Sequence, residues 1–275
     1  GFVGRGFAKT SNMKTVLFVL CFGWELCSAW IGGFVGRIVF TRRTRQSTLY
    51  GWLDNFLPKA DNNFSEKSRK AEFPEQYPAT YERSNVLVDS DGPEAKIVRP
   101  LLKQTMMETR PLQVVYDSKQ HGWTPRAFHE RVDGKGAAVV LCTCSSSLLV
   151  GGYNPKGWAS MGGARPSVAA FLFTLSPQLQ KFPKVGGGGL ACARDDPTFG
   201  ISFGPDGLVI ALQPGPRQRL ATSKLGTYFE RGSNGKTSLF DGGATQLDRV
   251  QVLVGVYQPG EEIPYSGAVF DMTSG

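Results

Sequence analysis

The chain is poor in the residues that carry most enzyme chemistry. It has two histidines, His121 and His129, and five cysteines among 275 residues. Cys21 and Cys27 sit in an apolar N-terminal stretch, leaving Cys142, Cys144 and Cys192, an odd number that makes no disulfide framework. That usage fits a reducing compartment better than the extracellular space. No Gly-x-Ser-x-Gly run occurs, so Ser160 and Ser167 lack the setting of an activated nucleophile. Gly186–Gly189 lacks the Lys-Ser/Thr that completes a phosphate loop and reads as a flexible connection. Long hydrophobic runs are also scarce. A single stretch near the N-terminus approaches membrane-spanning length, which excludes a polytopic membrane protein.

What is present is 34 Gly, 17 Pro and 41% hydrophobic residues, enough apolar content for a core. The net charge is +8, but it is unevenly placed. Residues 1–53 hold seven basic residues against one acid, Glu25, whereas the remainder holds 24 basic and 22 acidic. A near-neutral body has no electrostatic footprint for a phosphate backbone, so nucleic acid is not an expected partner.

The N-terminal region reads as a leader. Residues 1–12 precede the first methionine, Met13, and form an upstream segment. Residues 13–29 have the pattern of a secretory signal: Lys14, then the apolar Thr15–Trp24, then Cys27 and Ala29 as small residues before a cleavage point at Trp30. The competing reading is a membrane anchor over Val16–Phe40, interrupted by Glu25, Gly32, Gly33 and Arg37. Residues 30–53 carry four arginines, several Ser and Thr and no acid, the composition of an organelle transit peptide. Signal followed by transit segment, with Trp30 and Phe34 just after the cut, resembles the bipartite presequences of algae with complex plastids. The expectation is a plastid protein with no stable membrane span once mature; the alternative is the secretory pathway.

Residues 54–96 are polar and aperiodic and read as a linker, with the folded domain expected over 97–275. Leu101, Leu102, Thr105 and Met106 recur at helical spacing after Pro100. A second helix is expected at Thr124 (cap), Pro125, Ala127, Phe128 and Val132, stopping at Gly134. Short runs rich in β-branched and aromatic residues follow: Ala137–Thr143, Leu148–Tyr153, Ala169–Leu175, Thr198–Phe203, Leu208–Leu212, Gly226–Phe229 and Val250–Tyr257. With no long helices between them, they predict an α+β fold dominated by β, two packed antiparallel sheets flanked by short helices.

Between the strands, Gly151, Gly152, Asn154, Pro155 and Gly157 read as a turn cluster, with Tyr153 and Trp158 packing back over the sheet and their polar atoms partnered. Phe128-His129, Gly151-Gly152-Tyr153-Asn154-Pro155-x-Gly157-Trp158 and the later Pro-x-Phe199-Gly200 resemble the motifs of the TLDc domain, the module of eukaryotic oxidation-resistance proteins. The resemblance spans about Leu101–Met272 and is similar to plastid-type members. It implies a non-catalytic module that binds a protein partner in oxidative-stress protection, without a cofactor; in cytosolic relatives it implies contact with a proton-pumping ATPase. One departure is Lys236–Asp241, which keeps a Phe but lacks the Cys and Asn many members carry there.

Few residues suggest chemistry. His129 reads as a structural helix histidine. Cys142 and Cys144 share a strand face, and two ligands without further Cys or spaced His make no metal site. Asp195 and Asp196 are adjacent and are expected to point apart. Cys192, two residues from Arg194, is the one candidate redox thiol, and the alternative function is a thiol-dependent scavenger of oxidants.

Overall fold

The computed structural model describes residues 66–185, 193–232 and 235–267, all within the compact unit Lys59–Gly275. The leader, residues 54–65 and Cys192 lie outside the described residues. Helices are short: α1 (Glu66–Glu72), α2 (Pro93–Val98), α3 (Ser118–His121) and α4 (Pro125–Val132). The strands are β1 (Leu112–Asp117), β2 (Ala138–Cys144), β3 (Leu149–Asn154), β4 (Ala164–Arg165), β5 (Phe171–Thr174) and β6 (Gln180–Pro183). They continue with β7 (Ala193–Arg194), β8 (Ile201–Phe203), β9 (Leu208–Ile210), β10 (Leu220–Thr222) and β11 (Ala244–Gly255). Their antiparallel order is β4-β7-β8-β9-β10-β11-β2-β3-β5-β6, with β1 added on β11.

Strand β11 joins the two halves of this path. Its first residues, Ala244–Gln246, pair with β10; from Leu247 to Val254 it pairs with β2, and from Gln251 to Gly255 also with β1. The register shifts between Leu247 and Arg249, where a bulge bends the strand from one sheet into the other. Side chains of the two sheets then meet. Val140, Cys142, Val150 and Leu172 from one join Phe203, Leu208, Ile210 and Ala221 from the other in a single buried cluster. The opposite face of the β2–β3–β5 sheet carries Val139, Leu141, Tyr153, Phe171 and Phe173, covered by Ala95, Val98, Leu101, Leu102 and Met107. Both faces of β2 are therefore buried, which is why it reads as an unbroken hydrophobic run instead of alternating.

The α+β, β-dominated expectation holds, with differences in detail. Helix α2 begins at Pro93, and the chain tightens into a 3-10 turn over Arg99–Leu102, where a helix starting at Pro100 was expected. Gly226–Phe229 forms no strand; Phe229 makes only an isolated bridge with Lys184. Strands β1, β6 and β10 carry Gln, Lys, Asp or Thr and give weak hydrophobic signals, so sequence reasoning missed them.

Ordered packing also starts ahead of Ile97. Within the stretch expected as a linker, Glu75, Ser84 and Asp91 are buried. Asp91 accepts from Arg99 Nε at 2.7 Å and from Nη2, while the other guanidinium hydrogens reach the Met107, Glu108 and Arg110 carbonyls. This pair staples the start of the domain to the loop that leads into β1. Polar composition hid it, because a buried ion pair looks like surface sequence.

Candidate functional site

Helix α4 brings the first motif into place. The Thr124 hydroxyl accepts from Ala127 N at 3.2 Å and Pro125 takes the first helical position, so the helix starts where its signals put it. Phe128 then meets Trp158 edge-on at 5.2 Å and 82°, and Trp158 meets Phe203 at 6.1 Å and 90°. These contacts lock helix, turn and second sheet together. Against expectation, the indole Nε1 of Trp158 is buried without a hydrogen-bond partner among the described residues. The Tyr153 phenol does find partners, at the Met106 backbone and Thr105.

The two glycines of the motif require correction. Gly151 and Gly152 lie inside β3, not in a turn. A Cβ on Gly151 would stand 1.9 Å from the Val140 carbonyl oxygen and 2.6 Å from Phe173; one on Gly152 would stand 2.7 Å from Phe203. They are glycines because both faces of the strand press on them. The turn proper begins at Asn154, whose Nδ2 donates to the Gly157 carbonyl at 2.8 Å and whose Oδ1 accepts from Lys156 N at 3.2 Å. Pro155 is buried within it, and Gly157 has φ +60° and packs on the Gly136 carbonyl. Gly200 likewise allows close approach, with a Cβ there 2.2 Å from the Ile210 carbonyl.

His129 is the centre of the assembly. Its Nε2 lies 2.9 Å from the Phe199 carbonyl, and its Nδ1 lies 2.8 Å from Asp133 Oδ1. A carbonyl and a carboxylate both accept, so the ring is best satisfied as an imidazolium donating from both nitrogens. Burial pushes its pKa down, but the hydrogen bond and charge of Asp133, then Phe199 and Asp195, outweigh that and raise it. Ser160 Oγ lies 3.1 Å from the same Nδ1 and donates to Asp133 Oδ2. The loop that holds Ser160 is tied from below. Asp195, fully buried, accepts from the backbone nitrogens of Ala159, Ser160 and Met161 at 2.8–3.0 Å. Asp196 turns outward to Arg194 and Thr198, the latter's hydrogen bonds holding it down at about 2.

A serine, a histidine and an aspartate in contact invite comparison with a nucleophilic triad, and the geometry is wrong for one. In a working triad serine and carboxylate occupy opposite ring nitrogens. Here both sit on Nδ1, Nε2 is held by a backbone carbonyl, and the serine proton goes to the carboxylate. The set is a clip joining α4, the loop after Trp158 and the loop before β8. Sequence reasoning singled out His129 and Phe199 and did not link them to Asp133, Ser160 or Asp195. The His129–Asp133 spacing of four on one helix was the available signal.

The two described cysteines are packing groups. Cys142 and Cys144 are buried free thiols; burial pushes Cys142 well up and Cys144 to about 11, which keeps both protonated and unreactive. Among the described residues no three His, Cys, Asp or Glu converge as a metal site. Nor is any described helix long and apolar enough to cross a membrane.

The family model of the TLDc domain matches residues 91–243, from the buried Asp91 to the glycine before β11. The chain belongs to the TLDc family. No curated protein matches it. Membership makes it, in general terms, an interaction module associated with oxidative stress. Of the motif residues, Phe128, His129, Trp158 and Phe199 come together at the His129 clip and the Trp158 stack, whereas Tyr153 lies on the opposite face of the sheet.

Proposed function

We propose that this TLDc chain is a non-catalytic protein-interaction module acting in oxidative-stress protection, delivered to a plastid by residues 13–53. One observation carries the first part. His129, Ser160 and Asp133, the described residues that come nearest to a catalytic set, are spent on one another and on the Phe199 carbonyl. Side chains committed in this way hold a surface in shape and leave no base to activate a nucleophile. The partner is a protein, and no cofactor enters the account.

The test is to tag the full chain at its C-terminus in its native cells and recover it after mild crosslinking, with and without peroxide. The expected result is one stoichiometric protein partner in a plastid fraction, and a mature N-terminus at or beyond Trp30. Recovery without a partner, together with peroxide consumption that depends on Cys192, overturns the reading in favour of a thiol scavenger. A mature chain that keeps residues 16–40 overturns the targeting half alone.

A further inference from the structure

Residues 83–89, Arg-Ser-Asn-Val-Leu-Val-Asp, belong to no helix or strand, yet their burial alternates as in one strand of a sheet. Ser84 is buried and Val86 and Val88 are half-buried, whereas Arg83, Asn85, Leu87 and Asp89 are exposed. That is the two-residue period of an extended chain with one face on the domain. The backbone follows the same alternation. Ser84 N donates to the Pro100 carbonyl at 2.9 Å and Val86 N to Ser84 Oγ at 3.2 Å. The N–H and C=O groups of Asn85 and Leu87 have no partner among the described residues. An unpaired edge carrying Val-Leu-Val is a template for another strand. None of the described residues covers it: Leu87 is 90% exposed, and a groove of about 620 Å³ runs beside it, lined by residues 84–89 with Lys96, Arg99 and Pro100.

The ends of the run say what pairs with it. Arg83 and Asp89 are exposed, opposite in charge and without an ion pair among the described residues. Each lies three residues from Val86. A second copy laid antiparallel, Val86 against Val86, sets Arg83 of each chain beside Asp89 of the other. The same register puts Asn85 opposite Leu87, so that the free N–H and C=O groups of both are satisfied. It also leaves the two Leu87 side chains diagonal to each other on the outer face, within reach for side chains of that length. Centring the pair on Leu87 instead would set Arg83 against Asp91, which is buried and already held by Arg99. We propose that two copies of this chain associate through residues 83–89, as a two-fold antiparallel strand pair locked at both ends by Arg83 and Asp89. The contact is small, so the dimer is weak and forms as concentration rises. It involves a second copy of the chain and stands apart from the partner reading above.

The test is sedimentation velocity on the full chain over roughly a hundredfold range of concentration. Wild type, Arg83→Glu, Asp89→Arg and an equimolar mixture of the two variants are compared. Wild type is expected to dimerise as concentration rises. Each variant alone opposes like charges at both ends of the pair and should dimerise roughly tenfold more weakly. In the mixture every opposed pair is again of opposite sign, so association should return to the wild-type level. A wild-type chain that stays monomeric overturns the proposal and leaves the edge to a strand of a different protein. Variants that associate as well as wild type, or a mixture no stronger than its components, overturn it as well. If a variant does not fold, amide exchange in wild type still decides. Exchange at Asn85 and Leu87 should slow as the dimer forms, and unchanged exchange there overturns the pairing.

Discussion

At the scale of single residues, the account rests on His129 as a charged clip. Replacing it with leucine leaves the Phe199 carbonyl and part of Asp133 unpartnered in a largely buried place. The expected loss is about 2–4 kcal/mol of unfolding free energy. Because the folded-state pKa is raised, the clip's contribution is complete below the unfolded value of about 6.5 and is lost as pH rises through the folded value. Urea midpoints of wild type and His129→Leu should therefore differ most near pH 5.5 and converge toward pH 9. A gap that widens with pH would show that the ring is held neutral. Asp195 has a different signature. It accepts three backbone N–H groups with no exposure to solvent. Asp195→Asn, which keeps the shape and loses the charge and one acceptor, should cost about 2–3 kcal/mol. Hydrogen exchange should show the amides of Ala159–Met161 opening first.

At the scale of elements, the glycine pair in β3 sets how closely the layers approach. Gly151→Ala forces a methyl into the Val140 carbonyl and the Phe173 ring, both inside the sheet, so the variant should fail to accumulate as folded protein. Expression and circular dichroism decide this, and a well-folded Gly151→Ala would mean that β3 is seated differently. Helix α4 and strands β2, β3, β5, β8 and β9 were legible in the sequence because cap, proline and hydrophobic runs all agreed locally. The glycines were misread as a turn because glycine marks both positive φ and close approach, and only the neighbouring layers distinguish the two. Strands β1, β6 and β10 were missed for a related reason. Their identity comes from pairing with a neighbour, and polar residues such as Gln113, Lys181 and Thr222 dilute their own pattern.

At the scale of the whole molecule, the motif residues were legible as a set, but their partners were not. Phe128, Trp158 and Phe199 announce themselves by type and spacing. Asp133, Ser160 and Asp195 matter only because the fold brings positions 129, 160 and 195 together, which no local window contains. The described residues form a two-sheet module in which His129, Asp195, Cys142 and Cys144 are turned inward. Cys142→Ser and Cys144→Ser should each destabilise it by about 1–2 kcal/mol, through a hydroxyl placed in an apolar core, and leave any protective activity intact at a temperature where the variant stays folded. A thiol mechanism running through either would instead lose activity at unchanged stability.

The measurement that bears most directly on a module acting by contact is peroxide consumption by the purified full-length protein, set beside Cys192→Ser. The account predicts that neither consumes peroxide above a protein-free control, and that cells relying on the Cys192→Ser form withstand peroxide as well as those with wild type. Turnover by wild type that disappears in Cys192→Ser would contradict it and make this chain a redox protein.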